Sequence, residues 1–256
     1  MRRPVIAANW KMHKSSEEAE AFLRIFVPLW TDRRVEVVIC PSFVSLERVA
    51  QAAGEIGLAV GAQDVYWEAQ GAFTGEVSAD MLVRAGCSYV IVGHSERRKI
   101  FNELDTDVGK KAQATLIHGL SPVICVGETM DERKAGLTGE VVERQLRQAV
   151  RSVERVEASR LVIAYEPVWA IGTGVTATPA DAALVAREIR SLLDRLLGPG
   201  AGEEVRVQYG GSVKASNIAG FMESLEVDGA LVGGASLDPA QFADLVNNSL
   251  SLREKE

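Results

Sequence analysis

A chain of 256 residues with 47% hydrophobic and 25% charged content has the make-up of a globular protein able to bury a substantial core. Its net charge of −7 argues against a broad nucleic-acid or anionic-membrane surface, although one lysine can still dominate a small pocket. The three cysteines Cys40, Cys87 and Cys125 are odd in number, lack metal-ligand spacing and sit in or beside apolar runs, which suits reduced core thiols of a cytoplasmic protein.

Met1-Arg2-Arg3-Pro4 carries the charge of a leader's start, but the apolar stretch behind it ends at Asn9 and Lys11. No run approaches the roughly 20 apolar residues of a membrane span. Short runs rich in Val and Ile follow at residues 5–8, 35–39, 59–62, 89–92, 122–126, 161–165, 205–208 and 229–232. They are continuous rather than alternating, as expected of parallel strands buried on both faces. Between them lie amphipathic segments at 17–27, 45–53, 79–85, 105–118, 140–153, 179–196, 215–222 and 239–247. Ser15 with Glu18 forms a capping-box pattern, Thr178-Pro179 sets a cap before a first-turn proline, and Ser78 precedes an Ala-Asp pair. Strand and helix alternate at roughly 32 residues per unit, the rhythm of an α/β protein folded as a single (β/α)8 barrel. A doubly wound open sheet would need a glycine-rich fingerprint after the first strand, and Ala8-Asn9-Trp10-Lys11 is not one. The expectation is one domain over residues 1–256, with a polar end from Ser249.

In such a barrel the carboxyl ends of the strands share one mouth. Strand one ends in Asn9 and Lys11, and strand four in Gly93-His94-Ser95-Glu96. Strand six ends in Glu166, strand seven in Gly210-Gly211-Ser212 and strand eight in Gly233-Gly234. Glu166 ends an apolar strand and precedes Pro167 and a segment closed by Gly172-Thr173-Gly174, offering a base on a rigid element beneath a movable lid. Each residue has an ordinary alternative: Glu166 as the start of a solvated loop, Lys11 as a surface lysine, Glu96 as a helix-start residue tied to an arginine. His13 and His118 stand at no metal-ligand spacing from His94, so no zinc site is expected. Arg97 occupies the second glycine position of a G-x-S-x-G nucleophile elbow, which rejects a serine hydrolase. Glycine pairs after strands seven and eight suit a phosphate held by backbone N–H groups, where a side chain would hold the anion off. Cys125, beside Gly127-Glu128, has no base partner and reads as packing near the base.

Five motifs then resemble the triosephosphate isomerase family, in its order and over essentially the whole chain. They are Asn9-Trp10-Lys11-Met12, Gly93-His94-Ser95-Glu96-Arg97-Arg98, Tyr165-Glu166-Pro167-Val168-Trp169-Ala170-Ile171-Gly172-Thr173-Gly174, Tyr209-Gly210-Gly211-Ser212-Val213 and Leu231-Val232-Gly233-Gly234-Ala235. The resemblance implies a TIM barrel and a glycolytic and gluconeogenic isomerase that interconverts dihydroxyacetone phosphate and glyceraldehyde 3-phosphate through an enediolate. It implies no metal or organic cofactor. That family is itself the standard example of a carboxylate base paired with a neutral imidazole, and its roles carry over to Glu166 as base and His94 as neutral donor. Lys11 would supply fixed charge, Asn9 a further donor and Glu96 a supporting acid. Gly172, Ser212, Gly233 and Gly234 would hold the phosphate. Ala8, His13 and Val175 depart from the family's usual residues; Val175 bears on the lid's opening rate and not on the reaction. The start of a helical turn at Ser95 leads to the expectation that His94 stays unprotonated well below pH 6. Residues 64–78 are too long for a simple connection and carry Tyr66, Trp67 and Phe73 among glycines, which points to a homodimer. In the family this loop reaches between subunits, so Thr74 would approach the other chain's Asn9 and Lys11. Another phosphate-handling barrel enzyme, such as an aldolase or a biosynthetic isomerase, is a rival reading, and a catalytically silent scaffold another; the first lacks a reason for Glu166 ahead of this lid, the second for retaining Glu166, His94 and Lys11 together.

Overall fold

Eight short runs of β-branched and small residues lie side by side in chain order among the residues described by the structure, a computed structural model covering 2–54, 56–171 and 176–252. They are β1 (Val5–Asn9), β2 (Glu36–Cys40), β3 (Ala59–Ala62), β4 (Tyr89–Val92), β5 (Ser121–Val126), β6 (Val162–Tyr165), β7 (Arg206–Tyr209) and β8 (Gly229–Val232). Every neighbouring pair is parallel, and β8 returns to β1 through the register Val5↔Gly229 to Ala8↔Val232, closing the barrel. The (β/α)8 TIM-barrel expectation is therefore met.

Continuous hydrophobicity has a direct cause in this closure. Val5, Ala7, Val38, Cys40, Ile91, Val123, Cys125, Val162, Ala164 and Leu231 fill the barrel's interior. Their neighbours Ile6, Ala8, Ile39, Val90, Val92, Ile124 and Ile163 face the surrounding helices. Both faces of each strand are buried, so no polar alternation survives. At the amino ends of the strands, Arg206, Glu36 and Tyr89 plug the interior. Arg206 Nη1 lies 2.7 Å from Glu36 Oε2 and Nη2 donates to Tyr89 Oη at 3.0 Å, while Tyr89 Oη donates to Glu36 Oε1 at 2.8 Å. That end is sealed by an ion pair, leaving the carboxyl ends as the open mouth.

The helices are α1 (Ser16–Leu29), α2 (Phe43–Gly54), α3 (Ala79–Arg84), α4 (Ser95–Phe101), α5 (Asp105–Ile117), α6 (Met130–Lys134), α7 (Thr138–Ala149), α8 (Pro179–Leu197), α9 (Ala201–Glu204), α10 (Ile218–Glu223) and α11 (Pro239–Asn248). The caps at Ser15, Ser78 and Thr178 all accept an N–H of the first turn, as their sequence pattern predicts. α4 begins at the helical turn expected at Ser95, whereas the two short helices α6 and α9 were not predicted. One of them, α6, carries a complete capping box of Thr129 and Glu132, a signature that the sequence displays. The segment expected to be helical from residue 215 begins only at Ile218. Asn217 Oδ1 accepts the Lys214 N–H at 2.8 Å and its Nδ2 donates to Ser212 O at 3.1 Å, holding the stretch as a turn. Residues 64–78 form a long loop whose ends meet at the isolated bridge Tyr66↔Ser78. Tyr66 stacks on Trp67 with centroids 4.2 Å apart and meets Phe73 in a tilted contact at 4.5 Å. No helix among the described residues is long and apolar enough to cross a membrane.

Candidate active site

β1 delivers Asn9 as its last residue, and the chain then turns so sharply that Lys11 adopts φ +52°, the left-handed region that lysine enters only under constraint. Asn9 Oδ1 accepts the Lys11 N–H at 3.1 Å, and Gln63 Nε2 donates to the carbonyls of Lys11 and Cys40 at 2.8 and 2.9 Å. Trp10, fully buried, donates from Nε1 to Ser236 O at 3.2 Å, tying this loop to the 3₁₀ turn Gly234–Ser236 behind β8. These bonds hold Lys11 where its ammonium pairs with Glu96. The alternative that tied Glu96 to an arginine is not met, since its partner is Lys11. Arg97 instead turns away to Asp64 and Glu103.

His94 is aimed by its neighbours on both sides. Gly93 takes φ +71°, which glycine alone adopts without strain, and is gripped by Glu103 Oε1 at its N–H (3.2 Å) and by Arg98 Nε at its carbonyl (2.7 Å). His94 then caps α4, its Nδ1 accepting the Glu96 N–H at 3.2 Å, which puts the ring proton on Nε2. Nε2 lies 3.0 Å from Glu166 Oε1, and Glu166 Oε2 accepts the Ser95 N–H at 2.9 Å.

Glu166 leaves β6 through an N–H bond to Val126 O at 2.7 Å and is buried. Two glycines make that position possible by close approach. A Cβ on Gly127 would collide with the Glu166 carbonyl, and one on Gly210 would stand 2.8 Å from Glu166 Cγ. The Gly210-Gly211 pair therefore makes room for the carboxylate and for Tyr209, whose hydroxyl would meet a Cβ on Gly211. At Gly234, by contrast, a Cβ would meet nothing within 4 Å.

Burial works against charge on both members of the Glu166–His94 pair, yet the mutual attraction prevails. Beside Glu166, the His94 pKa rises above its ordinary 6.5; beside His94 and the Ser95 N–H, the Glu166 pKa falls below 4.5. In this arrangement the Glu166 carboxylate works against the expected depression of the imidazole below pH 6. The helical N–H groups do face Nδ1, but a carboxylate faces Nε2. Cys125 lies against the same carboxylate and donates to it, with burial driving its own pKa well above the ordinary 9.0. It packs by the base, as anticipated.

A cavity of about 410 Å³ gathers Asn9, Lys11, His94, Glu96, Glu166, Ser212, Gly233 and Gly234. Ile171, Lys214 and Leu231 complete part of its wall. Gly172, like Thr173, Gly174 and Val175, lies outside the described residues. A smaller cavity of about 200 Å³ shares Asn9, Lys11, His94 and Glu96 and continues to Met12, Phe43 and Phe101. No group of three or more His, Cys, Asp and Glu among the described residues could hold a metal ion.

Sequence reasoning passed over several groups that support this site. Glu128, fully buried, accepts from Tyr165 Oη at 3.1 Å and Trp169 Nε1 at 2.9 Å, and faces Arg133. Gln145 on α7 holds Gly127 through both amide atoms, accepting its N–H at 2.8 Å and donating to its carbonyl at 3.3 Å. Lys111, also buried, bridges Asp64 at 2.7 Å and Glu103 at 3.0 Å. Glu128 had a signal, since it is a carboxylate just past the end of a strand. Gln145 and Lys111 sit inside ordinary polar helix faces and had none.

A family model described as triosephosphate isomerase matches residues 4–249. Among curated relatives of that name, the protein of Moorella thermoacetica is 53% identical over 247 residues, covering 96% of this chain and 99% of the relative. That of Caldanaerobacter subterraneus subsp. tengcongensis is 50% identical over 247 residues, covering 96% of this chain and the whole relative at 100%. That of Symbiobacterium thermophilum is 50% identical over 244 residues, covering 95% of each.

Proposed function

The chain belongs to the triosephosphate isomerase family and interconverts dihydroxyacetone phosphate and D-glyceraldehyde 3-phosphate, a glycolytic step, and from that premise we propose how its residues divide the work. Glu166 removes the carbon-bound proton and returns it to the adjacent carbon, a general-base role typically worth about 10²–10⁴-fold. In its present position the carboxylate is held by His94 and Ser95, so it acts by moving off them toward the substrate carbon. That move removes the charge which raises the His94 pKa and leaves a neutral ring, with burial opposing its protonation. His94 then donates its Nε2 proton to the developing enediolate oxygen, while its Nδ1 stays engaged by the Glu96 N–H.

Lys11 and Asn9 bind the substrate's oxygens and stabilise the charge that grows on them; such preorganised donors are typically worth about 3–4 kcal/mol each. Glu96 orients Lys11 through their ion pair. Ser212, Gly233 and Gly234 hold the phosphate through backbone N–H groups, joined by Gly172, and turn remote binding energy into positioning. The segment after Pro167 closes as a lid, and the chain acts as one barrel domain that pairs into a homodimer in the cytoplasm. No cofactor takes part in this scheme.

The observation that carries the reading is the convergence of Glu166, His94 and Lys11 on one cavity wall, with Glu166 Oε1 3.0 Å from His94 Nε2. A coupled assay with either triose phosphate tests it. Conversion in both directions by the purified chain supports the scheme, whereas aldol cleavage or no turnover rejects it.

A further inference from the structure

We propose that Lys214, on the rim of the active-site cavity, draws the substrate's phosphate dianion into the mouth. The inference deepens the triose phosphate reading and rests on it. Two lysines and two carboxylates line the cavity: Lys11 and Lys214 against Glu96 and Glu166, with His94 beside them. Lys11 is committed to Glu96, and Glu166 to His94 and the Ser95 N–H. The Lys214 side chain is exposed and makes no hydrogen bond or ion pair with the described residues. Its backbone, however, is fixed. Asn217 Oδ1 accepts its N–H at 2.8 Å, and its carbonyl accepts the N–H groups of Asn217 and Ile218 at 3.1 and 3.0 Å. A held backbone thus carries an exposed lysine, unpaired among the described residues, on the cavity lining two residues from Ser212.

The charge balance gives this residue its task. Without Lys214 the wall holds Lys11, paired with Glu96, and His94, paired with Glu166, inside a chain whose net charge is −7. A phosphate monoester carries about −1.5 to −2 at neutral pH, so it would meet only cations already engaged by carboxylates. An exposed cation acts on encounter and not on the bound transition state, and its reach is set by the Debye length, about 10 Å at 0.1 M salt and about 30 Å at 0.01 M. Lys214 therefore raises kcat/KM at low ionic strength and leaves kcat alone.

The test compares the parent with Lys214→Gln and Lys214→Glu on D-glyceraldehyde 3-phosphate, from about 10 mM to about 500 mM sodium chloride. Turnover by the parent is checked first, so failure of the isomerase reading is seen separately. At low salt kcat/KM is expected to fall about threefold in Lys214→Gln and about tenfold in Lys214→Glu, with the curves converging at high salt. Phosphate-free D-glyceraldehyde should be turned over equally by all three proteins. Identical salt profiles, a deficit that persists at high salt, or an equal deficit with D-glyceraldehyde would each overturn the proposal.

Discussion

At the scale of single residues, the site is governed by what faces each side of one imidazole. Nδ1 of His94 meets the Glu96 N–H and Nε2 meets Glu166, so one edge favours the neutral ring and the other the cation. With Glu166 in place, the carboxylate prevails and the His94 pKa lies above 6.5. Replacing Glu166 with Gln deletes that cause and leaves burial and Lys11, which lower the value, against the weaker pull of Glu96. The His94 midpoint, read from ring nitrogen shifts, should drop in Glu166→Gln, and kcat should fall by several orders of magnitude with the fold kept. An unmoved midpoint would separate the two groups. The same pair links stability to pH. His94, raised, contributes below 6.5 and loses its contribution as pH climbs through its folded value; Glu166, lowered, contributes above 4.5 and loses it as pH falls through its own. The stabilisation should therefore be greatest between 4.5 and 6.5, seen as the difference in urea midpoint between parent and Glu166→Gln.

At the scale of elements, the strand ends carrying Asn9, His94, Glu166 and the glycine pairs could be read from sequence because apolar runs stop abruptly at polar residues. What holds them could not. Asp64, Arg97, Glu103 and Lys111 look like solvated charges along the chain, yet they form a network beneath the loop that carries His94. Pairing over tens of residues leaves no local period to detect. Gln145 is hidden in the same way on α7. Its two bonds to Gly127 press that glycine against the Glu166 backbone. Gln145→Leu keeps the volume but orphans a buried N–H and C=O, each costing about 1–3 kcal/mol. A lower melting temperature, reduced kcat and unchanged KM are expected, with partial recovery in Gln145→Glu through its remaining acceptor; a fall in KM alone would argue against positioning. The lid reading concerns the element after β6. Its leading edge is anchored by Trp169 Nε1 on Glu128, with Arg133 stacked 4.4 Å from the ring. Deleting residues 170–173 should leave a folded protein that releases methylglyoxal and phosphate from the unprotected enediolate. An unchanged ratio of phosphate to isomer would make the segment an ordinary loop.

At the scale of the whole molecule, the barrel was legible because closure buries both faces of every strand, and closure also decides where the surface is left unfinished. The Arg206–Glu36–Tyr89 plug seals one end. At the other, the smaller cavity beside Lys11 and His94 opens onto apolar groups: Met12 is 94% exposed, Phe101 64% and Phe43 41%. Exposed apolar side chains that rim a polar cavity mark a contact surface. The same protein also carries a projecting loop stiffened by the Tyr66–Trp67–Phe73 cluster, with Lys110 4.5 Å over Trp67. In the proposed homodimer each copy would insert this preorganised loop into the other's open apolar-rimmed cavity, as an isologous contact, with Thr74 approaching the partner's copy of the Lys11 turn. Because Lys11 is held at φ +52° and shares its cavity with that surface, loss of the partner should loosen the turn and lower activity as well as assembly. Light scattering of the parent at micromolar concentration is expected to give twice the 27.6 kDa chain mass. Phe73→Asp, which breaks the cluster, should shift it toward the monomer and reduce kcat in parallel. A parent that is monomeric and fully active at that concentration would refute the arrangement.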